Sequence, residues 1–212
     1  DIRIFGKPVH DNEKKIYFRI GSLIESPGFY PNLTGTENLQ IFARLRGVPS
    51  RGAVCHSLEV VGLPYKDKKL FSQYSLGMKQ RLAIALAIMH DPELLILDEA
   101  TSGLDPMVRD EILDLFNDFT RDENHSVLLS SHIVSDLEKI CDYIVFLHQG
   151  KLMFCEEKDR LLEEYALWKL TKEQFEDIPK EAIRGVKRNP FGVEVLVKKD
   201  AVADVFPAEH LS

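Results

Sequence analysis

The sequence predicts an α/β protein with a mainly parallel sheet flanked by helices, a helical subdomain and a small C-terminal α+β appendage. Strand-like and helix-like segments alternate through residues 75–155, which is typical of parallel sheets. Among them, Leu94–Leu97 is continuously apolar, as expected for a strand that is covered on both faces. Met78–His90 is apolar on nearly every side after its first turn, which indicates a buried helix.

The composition is that of a globular protein, with 44% apolar and 29% charged residues among 212. No apolar run reaches the roughly 18 residues that cross a bilayer, and Asp1–Phe5 lacks the pattern of a signal peptide. The net charge of −7 disfavours nucleic acid as the main partner. Cys55, Cys141 and Cys155 lack metal-site spacing, so we expect buried or part-buried thiols in a reducing cytosol.

The first half of the chain divides into a part of the core at residues 1–33 and a helical subdomain at residues 34–74. Strands are predicted at Ile2–Phe5 and over residues 16–24, before a loop that begins at Glu25. Thr34 and Glu37 have the spacing of a capping box at a helix start. Gly47 ends that helix, and a second helix covers about residues 52–61.

The second half continues the core over residues 75–155 and ends with the appendage at residues 156–212. The expected core elements are a helix over 107–120, a strand at 127–129, a helix over 132–141, a strand at 143–147 and a strand at 151–154. In the appendage we expect a helix over 156–165, strands at 167–170 and 193–197, and a capping box formed by Thr171 and Gln174.

Two carboxylates follow the buried strand, at the place where parallel sheets bind ligands. Asp98 and Glu99 stand at its carboxyl end. There, Asp98 is suited to hold Mg²⁺ beside phosphates, and Glu99 to accept a proton from an attacking water. The alternative is a strand that merely ends in Asp-Glu at a loop.

Ser75, Leu76 and Gly77 lie at the start of the buried helix, where unpaired N–H groups favour anions. Ser75 alone could equally be a helix N-cap, or serve both purposes. His132 follows the next strand, at residues 127–129, and has a side chain that titrates near neutral pH. Alone, it could be a histidine without a functional role.

Four motifs in this order make the chain, from Asp1 to about Phe154, resemble an ABC-transporter ATPase. They are the signature motif at 74–78, the Walker B strand at 94–99, the D-loop at 101–106 and the switch histidine, His132. Leu76 and Met78 depart from the usual signature Leu-Ser-Gly-Gly-Gln. The resemblance implies the ABC-type P-loop NTPase fold, with ATP and Mg²⁺ as cofactors.

The resemblance also implies a role for each motif. Asp98 would hold Mg²⁺, and Glu99 and His132 would act in ATP hydrolysis. The nucleotide-binding residues of the second ATPase subunit's site, in a head-to-tail dimer, would be Ser75, Leu76, Gly77, Met78 and Asp105.

Glu25 stands where most of these ATPases have glutamine, and it resembles the bacitracin- and lantibiotic-type members in this respect. The resemblance gives Glu25 a place at Mg²⁺ and the lytic water, and has residues 26–33 face membrane-spanning transporter subunits. It implies a cytoplasmic protein on the inner face of the membrane that powers export of a drug or antimicrobial peptide. A non-transport ABC protein and a non-catalytic fragment are the alternatives.

A P-loop, Gly-x-x-x-x-Gly-Lys-[Ser/Thr], is absent from the sequence. Gly47 and Gly52 have the glycine spacing, but Ala53 and Val54 follow. We therefore expect an N-terminally truncated chain that is inactive alone. We also expect the strand at 94–97 to face a gap with unpaired backbone groups.

Overall fold

The computed structural model describes residues 2–24, 28–176, 178–190 and 192–202. By its internal contacts the chain divides into two compact units, residues 1–140 and 141–212. This division precedes the hairpin that the sequence pattern assigns to the core, and the domain limits given above remain a prediction.

The first unit is built from eleven strands and helices among the described residues. They are β1 (Arg3–Ile4), β2 (Lys7–Pro8), α1 (Glu13–Tyr17), β3 (Ile20–Ile24), α2 (Gly35–Arg46), α3 (Ser50–Val60), α4 (Leu76–Ile88), β4 (Leu94–Asp98), α5 (Pro106–Phe119), β5 (Ser126–Ser130) and α6 (Val134–Ile140). A 3₁₀ turn at Phe71–Gln73 precedes α4.

The centre of this unit is a parallel sheet in the order β3-β4-β5. Its register places Ile24, Asp98 and Ser130 side by side at the carboxyl edge. Because β3 and β5 pair with both edges of β4, the prediction that this strand faces a gap is wrong. β5 is an edge strand as far as the described residues show.

The core of the first unit lies between this sheet and the helices. Leu95 and Leu97 of β4 are fully buried, and so are Leu82–Ala85 of α4, which confirms the buried strand and helix. Gly21 of β3 approaches α4 closely. A Cβ atom at Gly21 would lie 2.2 Å from the carbonyl oxygen of Ala87, so only glycine fits there.

Helix α2 has the predicted ends. The Thr34 side chain accepts a hydrogen bond from the Glu37 N–H, and the Glu37 carboxylate accepts one from the Thr34 N–H, which completes the capping box. Gly47 is left-handed, with φ 71°, and terminates the helix as predicted. The hydrogen bond from the Thr34 N–H, and then that from its hydroxyl, lowers the pKa of Glu37.

Several predicted details are corrected. Ile16 is buried in the short helix α1, so the strand predicted from residue 16 begins only at Ile20, where pairing with Leu94 starts. Cys55 and Cys155 are exposed rather than buried. Cys141 is half-buried as expected, and burial raises the pKa of its thiol.

The second unit contains helices and antiparallel strands. Its elements are β6 (Tyr143–His148), β7 (Lys151–Glu157), α7 (Lys158–Glu164), β8 (Tyr165–Leu170), α8 (Lys172–Glu176), β9 (Ile183–Asn189) and β10 (Gly192–Lys198). β6 and β7 form a hairpin, and a separate sheet has the order β8-β10-β9. Trp168, Val195 and Val197 are buried in its core. The helix expected from residue 156 begins at Lys158, because β7 continues to Glu157 in pairing with Tyr143.

No helix within the described ranges combines the length and the apolar character that a bilayer crossing requires.

Replacing Gly21 by alanine should destabilise the first unit by about 1–3 kcal/mol, because the methyl group meets the backbone of α4. The matched control is Gly52→Ala in α3, where a Cβ atom meets nothing within 4 Å. The control should be neutral or stabilising by about 0.5 kcal/mol through helix propensity. Urea unfolding followed by circular dichroism measures both, and equal effects would contradict the packing.

The capping box predicts a pH dependence. The pKa of Glu37 is lower in the folded state than in the unfolded state. The ionised carboxylate therefore stabilises α2 at pH values above the unfolded-state pKa, and this stabilisation is lost as the pH falls through the folded-state pKa. The stability advantage of the wild type over Glu37→Gln should therefore be constant between about pH 6 and 8 and shrink below about pH 4.5. Urea midpoints at a series of pH values test this; an advantage that grows on acidification would refute it.

Candidate functional site

The carboxyl edge of the parallel sheet brings a carboxylate and a hydroxyl together. Asp98 ends β4 and Ser130 ends β5, directly opposite it in register. The Ser130 hydroxyl donates a short hydrogen bond to the Asp98 carboxylate. Sequence reasoning assigned Ser130 no role, although the pairing of two adjacent strand ends would have indicated it.

Glu99 adopts an unusual backbone conformation for a residue with a side chain. Its φ is 50°, in the left-handed region that favours glycine. Its N–H donates to the Ser130 carbonyl oxygen at 3.1 Å and to the Ser130 hydroxyl at 3.3 Å. Two hydrogen bonds from the end of β5 therefore hold the Glu99 backbone in this conformation.

The structure brings together Glu99, the predicted proton acceptor, and His132. The Glu99 carboxylate oxygen lies 2.7 Å from His132 Nδ1. Both side chains remain open to solvent, with 40% of the Glu99 side chain and 68% of the His132 side chain exposed. Asp98, Glu99 and His132 thus form one accessible group at the sheet edge.

Oxygen atoms of the kind that Mg²⁺ prefers as ligands meet at this edge of the sheet. Asp98 is exposed and offers carboxylate oxygen beside the Ser130 hydroxyl oxygen. Mg²⁺ is usually held by one or two carboxylates together with water and substrate phosphates. Across the residues that the structure describes, no cluster of three or more His, Cys, Asp or Glu side chains could hold a metal ion.

The predicted phosphate-facing motif lies at the start of α4. Ser75 is the N-cap, and its hydroxyl accepts a hydrogen bond from the Met78 N–H at 3.3 Å. The interpretation of Ser75 as an N-cap is therefore confirmed, while its contact with phosphate stays a prediction. The Leu76 side chain is half exposed and the Met78 side chain half buried.

The start of α4 packs directly on the loop that follows Glu99. A Cβ atom at Gly77 would lie 2.9 Å from a methyl group of Val108, and one at Gly103 would lie 3.7 Å from Leu76. The Gln80 side chain donates a hydrogen bond of 2.5 Å to the Ala100 carbonyl oxygen. The start of α4 and the loop that follows Glu99 are consequently packed against each other.

Two further residues fix the ends of this loop. Asp105 is the N-cap of α5 and accepts a hydrogen bond from the Val108 N–H at 3.1 Å. The buried Thr101 hydroxyl donates to the buried Asp136 carboxylate of α6 at 2.6 Å. Sequence reasoning did not find this second contact, since nothing local links the two positions.

Glu25 lies outside the described residues. Within residues 28–33, Phe29 is buried against Phe42 and Phe71. The buried Asn38 side chain accepts a hydrogen bond from the Tyr30 N–H at 2.7 Å and donates one to its carbonyl oxygen at 3.1 Å. The Tyr30 side chain is 53% exposed.

Comparison with known proteins places these features in a family. Residues 1–102 match the family model described as ABC transporter. An ABC transporter ATP-binding protein of Bacillus subtilis (strain 168) is 36% identical over 211 residues, covering 97% of this chain and 68% of that protein. A bacitracin transport ATP-binding protein of Enterococcus faecalis is 51% identical over 152 residues, covering 72% of this chain and 49% of that protein. A lantibiotic transport ATP-binding protein of Streptococcus pyogenes is 41% identical over 141 residues, covering 66% and 61%.

Solved structures agree with this placement. An ATP-binding subunit of an ABC transporter matches with a TM-score of 0.63 and 28% identity, covering 74% of this chain and 67% of that chain. A dimeric post-hydrolysis ATP-binding cassette bound to ADP and phosphate matches with a TM-score of 0.60 and 22% identity, covering 72% and 68%, which shows the fold alone. The predicted ABC-type P-loop NTPase fold is confirmed.

The chain spans about half the length of the bacitracin transport relatives from Enterococcus faecalis and Bacillus licheniformis, 49% and 50% respectively. Its ordered motifs, its fold and its extended match to the Bacillus subtilis protein lead to the same conclusion. The chain belongs to the ABC transporter family of ATP-binding proteins.

Proposed function

We propose that the chain is the ATP-binding and ATP-hydrolysing part of an exporter subunit. The observation that carries this is the contact of Glu99 with His132 beside Asp98, at the ligand-binding edge of a parallel sheet. Membership of the ABC transporter family of ATP-binding proteins supports the proposal.

In this proposal each residue at the sheet edge has a defined role. Asp98 holds Mg²⁺, directly or through its water, with the Ser130 hydroxyl orienting the carboxylate. Glu99 accepts the proton of the attacking water, and His132 orients Glu99 and binds the γ-phosphate. Bound Mg²⁺ supplies neutralisation of the charge on the phosphate oxygens. Glu25 would add a further carboxylate for Mg²⁺ and the lytic water.

The start of α4 would serve a second ATPase subunit in a head-to-tail dimer. The first turn of a helix and its dipole attract phosphate oxygens. Ser75, Gly77 and their neighbours Leu76 and Met78 would face the γ-phosphate of the partner's ATP, with Asp105 alongside. The half-exposed Leu76 side chain is compatible with this contact.

The transport assignment rests on the segment after Glu25 and on the relatives. Phe29 is buried and Asn38 accepts a hydrogen bond from the Tyr30 N–H, while Tyr30 is exposed to solvent, which suits contact with membrane-spanning subunits. We place the protein in the cytoplasm on the inner face of the membrane. The bacitracin and lantibiotic names of two relatives support an antimicrobial peptide or drug as the exported substrate.

The 212 residues taken alone should be inactive in this scheme. No P-loop occurs in them to present the phosphates to Asp98 and Glu99. The activity is therefore proposed for the whole protein assembled with its partner subunits.

Replacing Glu99 by glutamine should lower ATP turnover by at least about 100-fold, because the proton acceptor is lost. Binding of Mg-ATP should change little, since the uncharged amide has the same shape. The matched control is Glu123→Gln, in the exposed turn before β5, which should retain wild-type turnover. Phosphate release by the full-length protein is the measurement, and wild-type turnover in Glu99→Gln would exclude the proposed function.

Replacing Ser75 by aspartate separates helix capping from phosphate binding. Aspartate caps helices as well as serine, so stability should stay within about 0.5 kcal/mol of wild type. Its charge should repel the partner's phosphate, so turnover and ATP-dependent dimerisation should fall at least about tenfold. Ser72→Asp adds the same charge at an exposed site nearby and should have neither effect. Wild-type turnover in Ser75→Asp would leave Ser75 as a cap alone.

A further inference from the structure

The loop from Glu99 to Asp105 is held from two sides by helices that are distant in sequence. On one side, the Gln80 side chain of α4 donates to the Ala100 carbonyl oxygen. On the other side, the Thr101 hydroxyl donates to the Asp136 carboxylate of α6. The two residues that follow Glu99 are therefore each fixed by a side chain from a different helix.

The contact between Thr101 and Asp136 is shielded from water. Thr101 is fully buried and Asp136 is 2% exposed, and their oxygen atoms are 2.6 Å apart. Burial of a carboxylate costs free energy unless hydrogen bonds compensate. Two apolar side chains could fill the same space without that cost, so packing alone does not explain a buried polar pair here.

The conformation of Glu99 makes it sensitive to this anchor. Its φ of 50° is unfavourable for a residue with a Cβ atom and persists only where the surroundings hold it. The Ser102 N–H donates to the Glu99 carbonyl oxygen at 3.0 Å, and the Leu104 N–H donates to the Thr101 carbonyl oxygen at 3.4 Å. Displacement of Thr101 would therefore change the turn on which the Glu99 side chain depends.

We propose that Asp136 is a positioning residue that acts through Thr101 to hold Glu99 against His132 and to keep the loop in place. The inference rests on the proposed function, since it assigns Glu99 the role described above. Asp136 touches neither of the proposed reacting groups at hydrogen-bond distance. Its effect would pass through the hydroxyl of Thr101 and the two peptide groups that separate Thr101 from Glu99.

The first experiment uses the 212-residue chain and needs no activity. Thr101→Val removes the hydroxyl but keeps the shape, whereas Thr101→Ser keeps the hydroxyl. Hydrogen exchange at the amides of Ser102 and Leu104 should accelerate by about tenfold or more in Thr101→Val and stay near wild type in Thr101→Ser. Thr36→Val removes a different hydroxyl, which donates to the Tyr65 carbonyl oxygen at 2.5 Å, and should leave these two amides unchanged.

The second experiment measures turnover of the full-length protein. Thr101→Val should lower kcat by about 10- to 100-fold with KM for Mg-ATP within about twofold, because a small misplacement of the proton acceptor acts on the chemical step. Asp136→Asn keeps an oxygen that can accept the Thr101 hydroxyl, and Thr101→Ser keeps the donor. Both single variants should therefore keep kcat within about threefold of wild type. A loss of packing alone would not produce this difference from Thr101→Val.

The results distinguish a failure of the positioning role from a failure of the proposed ATPase function. Unchanged kcat per folded molecule in Thr101→Val, or an equal loss in Thr101→Ser, would overturn the positioning role while leaving the ATPase assignment intact. Absence of turnover in the wild type, or wild-type turnover in Glu99→Gln, would overturn the proposed function and the inference with it. A lowered kcat in Thr101→Val, together with a near-wild-type kcat in Thr101→Ser, would support the inference.

Discussion

The pairing of β4 between β3 and β5 is the constraint on which the candidate site depends. Parallel strands in register end at the same edge, so one pairing scheme puts Asp98 beside Ser130 and beside the end of β3. The fully buried Leu95 and Leu97 fix which faces of β4 point into the core. A slip by one residue would exchange Leu95 and Leu97 for Leu94 and Ile96 on the buried face and would move Asp98 out of register with Ser130.

The sequence was informative wherever a local pattern had a single physical meaning. The apolar run at Leu94–Leu97 predicted a buried strand, and the Thr34 and Glu37 spacing predicted a capping box that the structure contains. The order of the motifs predicted the fold family. Predictions failed where tertiary partners decide the outcome. The two edges of β4 pair with β3 and β5, and no local pattern reveals this strand order. Ile16 is buried in a short helix rather than in the predicted strand.

The contacts that shape the candidate site are those the sequence could not show. Thr101 and Asp136 are 35 positions apart, and Gln80 and Ala100 are 20 apart. Neither separation has a periodic signature, because each depends on how α4 and α6 pack beside the sheet. The left-handed conformation of Glu99 is equally invisible, since glutamate does not favour it. Motifs thus identified the residues, whereas long-range packing determined their geometry.

The same packing has a consequence for a head-to-tail dimer of the kind proposed. In that arrangement Ser75 would serve the partner's nucleotide, while Glu99 would serve the chain's own. The hydrogen bond from Gln80 to Ala100 joins the helix that begins after Ser75 to the loop that follows Glu99. A Cβ atom added at Gly77 would lie 2.9 Å from Val108, and one added at Gly103 would lie 3.7 Å from Leu76, so little free space remains between the start of α4 and the loop. Close-packed contacts of this kind transmit displacement rather than absorb it. In the proposed dimer, the residues that serve the two nucleotides would therefore lie in one packed region of the same chain.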